Sequence, residues 1–262
     1  MSKPLVSLLM AAYNNVRFIK AAIDSVKNQT YENWELVILN DGSTDGTYEL
    51  AQKLAEGDDR IKVHTNEKNI GVNLTMLKLS KLAKGEYFAH FDSDDMLERW
   101  AVEEMVMAFE KHPTATLIYS DMVQIGMKNE IQVYRANKDF NRSEIYNYGW
   151  MHMGMYKSSV LNEIQGYNEK LGVTSGCNDG DLFMQIAEKY EVVHHPKVLY
   201  MYRAHDGGHT SAKKPECQKC PANADCNYIR IWANSLGYDQ KTLTPLKVEN
   251  GREDSETFVQ QA

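Results

Sequence analysis

A short apolar stretch of the chain ends in a dense group of carboxylates. Residues 87–91 are aromatic or apolar except for His90, which predicts a short buried strand. Asp92, Asp94 and Asp95 follow within four positions. Negative charge at this density is unfavourable without a cation, and oxygen ligands suit Mg²⁺ or Mn²⁺ shared with substrate phosphates. The first hypothesis is an Asp92-x-Asp94 metal site for a nucleotide diphosphate. The alternative is a solvated acidic turn that caps the following helix.

Strands and helices alternate over the first 120 residues. Mostly apolar runs predict buried strands at 5–10, 34–39, 87–91 and 117–119, and the segment 61–64 is also predicted as a short strand. Apolar residues at every third or fourth position predict helices at 18–26, 48–56, 72–83 and 102–109. This alternation predicts an α/β protein with a mostly parallel, Rossmann-like central sheet flanked by helices.

Polar residues follow three of the predicted strands. These clusters are Tyr13 with Asn14, Asp41 to Ser43, and Asp92 with Asp94. Ligands bind beyond the carboxyl ends of the strands in sheets of this kind. The convergence of three polar clusters on one edge favours a binding site over a solvated acidic turn.

Beyond residue 120 the pattern is less regular. Residues 123–134 predict a hairpin or an edge segment, and residues 138–148 predict a loop. Helices are expected at 158–164 and around Leu182 and Ile186, with short strands at 192–195 and 198–202.

The composition is that of a soluble globular protein. The 262 residues are 43% hydrophobic and 25% charged, and this length suits one large α/β domain or two small ones. The net charge of -7 argues against a general nucleic-acid binder, although a local basic patch stays open. No run approaches the ~18 apolar residues of a membrane span, and the apolar run near the N-terminus is too short for a signal peptide. We expect a cytoplasmic protein without a transmembrane segment.

Three of the four cysteines lie close together near the C-terminus. Cys217 and Cys220 have the C-x2-C spacing of many zinc sites, but Cys226 does not complete a standard second half. The candidates for a fourth ligand are Cys177, His205 and His209. A structural Zn²⁺ site is one hypothesis, and free or disulfide-linked thiols are the other.

Several sequence motifs, in their order along the chain, resemble those of the family-2 inverting glycosyltransferases, which have the GT-A fold. The resemblance covers roughly residues 4–211. Seven segments carry it: 4–14, 25–31, 40–47, 84–87, 92–95, 166–171 and 202–205. The segment 40–47, with the sequence Asn-Asp-Gly-Ser-Thr-Asp-Gly-Thr, is close to the most recognisable signature of the family.

The resemblance implies a site for a UDP-sugar donor. The residues implied in nucleotide binding are Ala12, Tyr13, Asn14, Asp41, Asn69, Asp92 and Ser93. Asp41 would accept a hydrogen bond from uracil, although an Asp before glycine is also a common turn former. Asp94, Asp92 and His205 would ligate Mn²⁺ or Mg²⁺. Arg203 would pair with a phosphate or with a core carboxylate.

Inversion by direct displacement requires a base on the acceptor hydroxyl, while a metal stabilises the leaving diphosphate. The family places this base in an E-D-x-D-L motif, and residues 178–182 are the matching segment here. The resemblance therefore implies Asp179 as the catalytic base, and we interpret Asp181 as the N-cap of the next helix. Asn178 replaces the Glu of the motif, which leaves the type of acceptor open.

Two further regions bear on specificity. Met76 and Leu77 stand where many family members have Arg-Asn, and Lys78 is a candidate to replace the missing polar contact. The acceptor side would be built from aromatic and methionine side chains: Trp150, His152, Met153 and residues 146–148. Core packing of Trp150 and the methionines is the alternative.

The sequence thus predicts a metal-dependent, inverting glycosyltransferase that moves a sugar from a UDP-sugar to a hydroxyl of a saccharide or glycan acceptor. The predicted regions are a GT-A domain at 1–211 with a nucleotide half (1–121) and an acceptor half (122–211), a cysteine-containing helical extension at 212–249 and a disordered tail at 250–262. Two alternatives remain. One is a non-catalytic nucleotide- or glycan-binding module, and the other is a transferase that acts on a modified nucleobase.

Overall fold

The computed structural model describes residues 3–125, 131–134, 153–167 and 178–206. The chain divides into two units at Ala212, and all of these residues belong to the first. Several predicted site residues therefore lie outside the described part: Trp150, His152, Cys177, His209, Cys217, Cys220 and Cys226. The predictions of an acceptor surface at Trp150, of a zinc site and of the domain boundaries stay predictions.

Nine strands and five helices lie within the described residues. The strands are β1 Val6–Ala12, β2 Trp34–Asn40, β3 Ile61–Thr65, β4 Tyr87–His90, β5 Met96–Leu97, β6 Ala115–Ile125, β7 Ile131–Tyr134, β8 Met155–Lys157 and β9 Glu191–Arg203. The helices are α1 Ile19–Lys27, α2 Thr47–Ala55, α3 Val72–Leu82, α4 Ala101–Lys111 and α5 Asn178–Lys189. A 3₁₀ turn, Ser158–Asn162, follows β8.

These strands form one sheet with the order β3-β2-β1-β4-β8-β6-β9-β5, and β7 pairs with β6. The strands β1 to β4 are parallel, so that Val6 of β1 pairs with Trp34 of β2 on one side and with Tyr87 of β4 on the other. The chain moves outward from β1 to β3 and then returns to place β4 on the opposite side of β1. This reversal puts the topological switch point, where α/β sheets bind ligands, beyond the carboxyl ends of β1 and β4.

Buried apolar residues explain why these segments fold as they do. The β1 residues Val6, Leu8, Leu9 and Met10 are fully buried, as expected for a strand covered on both faces. Helices α1 and α4 each bury an apolar stripe in the same core: Ile19, Ile23 and Val26 in α1, and Val102, Met105 and Phe109 in α4. The core therefore fixes the strands whose ends carry the polar clusters.

The second half of the sheet differs from the sequence prediction. The mostly parallel arrangement holds for β1 to β4, but β8 is antiparallel to both of its neighbours, and β5 is antiparallel to β9. The two short strands predicted at 192–195 and 198–202 are one strand, β9, which contains Pro196 and pairs irregularly with β6 around Asp121. The helix predicted at 158–164 is only the 3₁₀ turn. The predicted hairpin is confirmed by the antiparallel pairing of β6 and β7.

Candidate active site

The turn after β1 is held in place by the turn after β2. Three side chains accept hydrogen bonds from consecutive backbone N–H groups: Ser43 Oγ from Asn14 at 3.0 Å, Thr47 Oγ1 from Asn15 at 2.8 Å and Asp45 Oδ2 from Val16 at 3.1 Å. In return, Asn14 Oδ1 accepts a hydrogen bond from the Thr44 N–H at 2.9 Å. The segment 40–47 is thus a structural brace, a role that the sequence interpretation missed. It fixes the predicted nucleotide residues Ala12, which is buried, and Tyr13, which is 48% exposed.

Asp41, at the end of β2, is buried and binds the loop that leads into α3. Its Oδ1 accepts hydrogen bonds from Asn66 Nδ2 at 2.8 Å and from the Ile70 N–H at 3.0 Å, and its Oδ2 accepts one from the Gly71 N–H at 2.9 Å. A carboxylate offers about four acceptor positions, so three of these are used within the protein. Asp41 therefore holds the loop before α3 in place, and its hydrogen bond to uracil stays a prediction for the remaining acceptor position.

Gly42 allows this loop to pass close to the end of β2. Its φ is +71°, and a Cβ built on it would lie 2.6 Å from the backbone carbon of Lys68 and 2.7 Å from the backbone nitrogen of Asn69. The predicted nucleotide residue Asn69 therefore lies beside Asp41, and its Oδ1 accepts a hydrogen bond from Gly71 N–H at 3.1 Å.

Lys78 extends the same polar network from α3. Its Nζ donates a hydrogen bond to Asn66 Oδ1 at 2.8 Å, and Asn66 in turn donates to Asp41. Met76 is buried in the protein. The prediction that Lys78 compensates for the missing polar pair is thus compatible with its position.

The acidic turn after β4 lies beside the end of β1. Ser93 is buried, and its Oγ accepts a hydrogen bond from Asn15 Nδ2 at 2.7 Å. The Asp92 N–H donates to the Tyr200 hydroxyl at 3.3 Å. The structure thus brings together the polar clusters that follow β1, β2 and β4, as the strand pattern predicted.

Asp95 and Arg203 hold this turn against β9. Asp95 is buried, and its two oxygens accept hydrogen bonds from the Arg203 backbone N–H and from the Tyr200 hydroxyl, both at 2.7 Å. Burial and the charges of Asp92 and Asp94 raise the pKa of Asp95 well above its usual value. The Arg203 side chain donates from Nε to the Asp94 carbonyl oxygen at 3.0 Å. Arg203 is therefore a structural link in this arrangement, and its pairing with a phosphate stays a prediction.

His205 lies directly against the acidic turn. Its Nε2 is 2.9 Å from Asp94 Oδ2, and its ring lies against the ring of Phe18 with centroids 4.3 Å apart. Among the described residues, no group of three or more His, Cys, Asp or Glu side chains could hold a metal ion. A Mg²⁺ or Mn²⁺ shared with a diphosphate needs only one or two protein ligands, because phosphate oxygens and water fill its other positions. Asp94 and His205 fit such an ion, and Asp92 as a third ligand stays a prediction.

Helix α5 carries the predicted base in its first turn. The helix begins at Asn178, so the interpretation of Asp181 as its N-cap is wrong. Asp181 lies one turn inside the helix, where it is buried and its Oδ2 accepts a hydrogen bond from Gln185 Nε2 at 3.0 Å. Asp179 is accessible to solvent, and its Oδ1 accepts a hydrogen bond from the Gly180 N–H at 2.8 Å.

Three carboxylates of the site are close enough to affect one another. The pKa of Asp92 is raised to about 7, first by loss of hydration and then by the negative charges of Asp94 and Asp179. Loss of hydration also raises the pKa of Asp179. Both side chains keep accessible surface, so water partly screens their charges. The predicted base and the predicted donor site therefore share one acidic region.

Of the residues predicted to build the acceptor side, only Met153 lies within the described part of the chain. Met153 is buried in the main core, so that the core-packing alternative is correct for this methionine.

The model of the family described as "Glycosyl transferase family 2" matches residues 7–165 of the chain, which is more than half of it. The chain belongs to this family. The family prediction made from the sequence is therefore confirmed, and the prediction of a glycosyltransferase is confirmed at the level of the family. The match ends before Asp179 and His205, whose roles remain predictions.

Related proteins include two polysaccharide synthases. The chain is 31% identical to chondroitin synthase from Pasteurella multocida (strain Pm70) over 90% of its own length and 32% identical to hyaluronan synthase from Pasteurella multocida over 82%. It spans only 24% and 22% of the length of these two relatives, about a quarter of each.

Two solved structures show folds similar to that of this chain. S. aureus TarS (residues 1–349), solved in complex with UDP-GlcNAc, has a TM-score of 0.68 and 20% identity, with 80% of this chain and 61% of that chain covered. The mannosyltransferase PcManGT from Pyrobaculum calidifontis, in complex with GDP-Man and Mn²⁺, has a TM-score of 0.64 and 16% identity, with 91% and 66% covered. These similarities confirm the predicted GT-A fold. None of the helices in the described part of the chain has the length and apolar character that a membrane span requires.

Proposed function

We propose that the chain is a metal-dependent, inverting glycosyltransferase that moves a sugar from a UDP-sugar to a hydroxyl group of a saccharide acceptor. The observation that carries this proposal is the shared acidic region at the topological switch point. There the ring of His90, at the end of β4, lies 5.3 Å from the ring of Phe183, one turn after Asp179 in α5, and Asp94 contacts His205. A donor site and a base in one region are what a direct displacement requires.

The donor would bind at the ends of β1, β2 and β4. Tyr13 offers an exposed aromatic face beside the buried Ala12, and the remaining acceptor position of Asp41 lies in the adjacent turn. Asp94 and His205 would hold a Mn²⁺ or Mg²⁺ ion, which when bound neutralises the charge of the departing diphosphate. Arg203 keeps the acidic turn in position through its backbone and side-chain hydrogen bonds.

Asp179 would act as the base. Its carboxylate accepts the proton of the acceptor hydroxyl while the hydroxyl oxygen forms a bond to the anomeric carbon. The bond from that carbon to the diphosphate breaks on the opposite side, UDP leaves with the electron pair, and the configuration at the carbon inverts. The raised pKa of Asp179 suits this role, because a base is most effective when its pKa lies near the working pH.

The relatives support a saccharide as the acceptor. Two of them are named chondroitin synthase and hyaluronan synthase, and a protein with the same fold was solved with UDP-GlcNAc. Because another structural neighbour was solved with GDP-Man, the choice of UDP over GDP needs a direct test.

The test is nucleotide release from a panel of UDP-sugars and GDP-mannose, with Mn²⁺ or with EDTA, in the presence and absence of oligosaccharide acceptors. We expect release from a UDP-sugar that requires the metal, is stimulated by one class of acceptor and yields a product of inverted configuration. The variant D179N should bind UDP with Mn²⁺ normally but lose transfer. Binding of UDP without any transfer by the wild-type chain, across the whole panel, would support a non-catalytic binding module instead. Transfer from GDP-mannose alone would contradict the UDP assignment.

A further inference from the structure

A buried group of polar rings lies behind the acidic region. The Tyr167 hydroxyl forms a hydrogen bond with His90 Nε2 and another with the Tyr156 hydroxyl at 2.9 Å. Tyr156 is 0% and Tyr167 3% exposed, so water does not replace these bonds easily. His90 belongs to β4, directly before the acidic turn, and Tyr156 belongs to β8. The hydroxyl of Tyr167 is therefore fixed to two neighbouring strands of the sheet.

The residue before Tyr167 is fixed to α5. Gln185 accepts a hydrogen bond from the Gly166 N–H at 3.1 Å and donates one to the Gly166 carbonyl oxygen at 2.9 Å. The same side-chain amide donates to Asp181 at 3.0 Å, in the first turns of the helix that carries Asp179. Gly166 and Tyr167 thus connect α5 with β4: the Gly166 backbone bonds to Gln185 of α5, and the Tyr167 hydroxyl bonds to His90 of β4.

Ring contacts follow the same route. The Phe183 ring, one turn after Asp179 in α5, lies 5.3 Å from the His90 ring, and His90 stacks on Tyr167 at 5.5 Å. Burial raises the pKa of Tyr167 well above its usual value, and the neighbouring Tyr156 and then the charge of Asp179 add to this effect.

From this geometry we infer that Tyr167 is a positioning residue: its hydroxyl bonds to β4 while its neighbour Gly166 bonds to α5, and together these bonds set the place of Asp179 relative to the carboxylates after β4. This inference rests on the proposed function, because it assigns to Tyr167 a role in placing the proposed base. Small displacements of a base from its acceptor reduce the rate strongly, so the loss of one hydroxyl should affect turnover more than binding.

The test is the variant Y167F, which removes only the hydroxyl. Tyr31 provides a matched control, because it is also buried and its hydroxyl donates to the Pro4 carbonyl oxygen before β1, at the amino ends of the parallel strands and not at the carboxyl ends that carry the candidate site. We expect Y167F to lower kcat about tenfold, with the KM for the donor and the affinity for UDP within about twofold of the wild-type values. The control Y31F should keep kcat within about twofold of wild type.

Hydrogen exchange gives a readout that needs no activity. In Y167F the amides of the first turns of α5 should exchange faster than in the wild-type chain, whereas Y31F should leave them unchanged. If the wild-type chain shows no transfer, the proposed function fails, and the exchange measurement still decides the positioning role. Unchanged exchange in Y167F, or a kcat equal to that of Y31F, would overturn the inference.

Two further variants separate positioning from simple stability. In the triple variant H90L/Y156F/Y167F all three polar groups of this cluster are replaced by apolar ones, so that the free energy of unfolding should recover relative to Y167F while kcat stays low. Recovery of both quantities would show that the hydrogen bond serves stability alone and would reject the positioning role. If Y167F does not fold, the variant Q185M removes both hydrogen bonds between Gln185 and Gly166 instead. The same loss of kcat at unchanged donor KM is expected.

Discussion

His205 and Asp94 lie in direct contact, with 2.9 Å between His205 Nε2 and Asp94 Oδ2, although 111 positions separate them in the sequence. Strand β9 makes this contact possible, because Tyr200 and Arg203 bind the buried Asp95 in the same acidic turn. The end of β9 is therefore held against the acidic turn that follows β4. Asp94 and His205 are therefore the two side chains whose replacement tests the metal hypothesis.

Replacement of Asp94 should affect the free and the metal-bound protein in opposite ways. Its charge is one of the causes that raise the pKa of Asp92, so that the metal-free site contains a repulsion that D94N relieves. We expect the melting temperature of metal-free D94N at pH 8 to equal or exceed that of wild type. At ligand concentrations about 100 times Kd, binding adds about 2.7 kcal/mol to stability, and D94N should lose most of the increase produced by Mn²⁺ with UDP. Differential scanning calorimetry measures both effects.

The control for this experiment is D24N. Asp24 pairs with Lys20 on the surface of α1, so its replacement removes one negative charge without touching the site. D24N should keep the full stabilisation by Mn²⁺ with UDP. An equally large stabilisation in D94N would rule out Asp94 as a metal ligand.

The pH dependence of transfer should report the ionisation of Asp179. Loss of hydration raises its pKa, and the base is active only when deprotonated. The rate should therefore fall as the pH drops through this raised pKa, about tenfold per unit, with a midpoint above the value of about 4 that is usual for Asp. Saturating Mn²⁺ and donor keep Asp92 ionised during the measurement, since a nearby cation favours the charged form of a carboxylate.

The variant D179N should lower kcat about 10²–10⁴-fold and abolish this acid limb, because the amide cannot accept the proton. The variant D179E should retain partial activity with a shifted midpoint. A wild-type profile that stays flat down to pH 4 would argue against Asp179 as the base.

Replacement of Gly42 by alanine should destabilise the protein much more than replacement of Gly57. Both have positive φ, +71° and +79°, so alanine is strained at either position. At Gly57 the new Cβ meets nothing within 4 Å, whereas at Gly42 it would collide with the backbone of Lys68 and Asn69. We expect G57A to cost about 1–2 kcal/mol and G42A about 1–3 kcal/mol more, measured by urea unfolding. G42A alone should also weaken UDP binding, because the loop that it displaces bonds to Asp41.

Local sequence patterns were sufficient for the part of the fold that carries the donor site. The strands β1, β2 and β4 were predictable because each is a mostly apolar run bounded by polar turns, and their alternation with helices predicts which ends meet. The short β5 and the continuous β9 were not predictable in this way. Strand β5 has only two residues, too few to show a periodic pattern. In β9, Pro196 interrupts the sequence pattern, and the irregular pairing with β6 accommodates it.

The role of single polar residues was less predictable, because it depends on partners far away in the sequence. Asp41 was interpreted as a uracil ligand or a turn former, and the structure adds a third role, since it binds three groups of the loop before α3. Asp181 was assigned to a helix cap because Asp favours that position, but α5 begins three residues earlier. Sequence motifs thus indicate which residues matter more reliably than they indicate what each one contacts.

The brace between the first two turns can be tested at Thr47. This residue is fully buried, and its Oγ1 accepts a hydrogen bond from the Asn15 N–H at 2.8 Å. Valine has the same shape but no acceptor, so T47V leaves this N–H unpaired and should cost about 1–3 kcal/mol of stability. The turn that contains Tyr13 should also loosen, and calorimetry should show weaker UDP binding.

Thr30 offers the matched substitution, because it is exposed and its hydroxyl donates to Glu103 on the surface. T30V should change the free energy of unfolding by no more than about 0.5 kcal/mol and leave UDP binding unchanged. If T47V lost stability but bound UDP as tightly as T30V, the brace would serve folding alone, and the turn after β1 would not need it to receive the nucleotide.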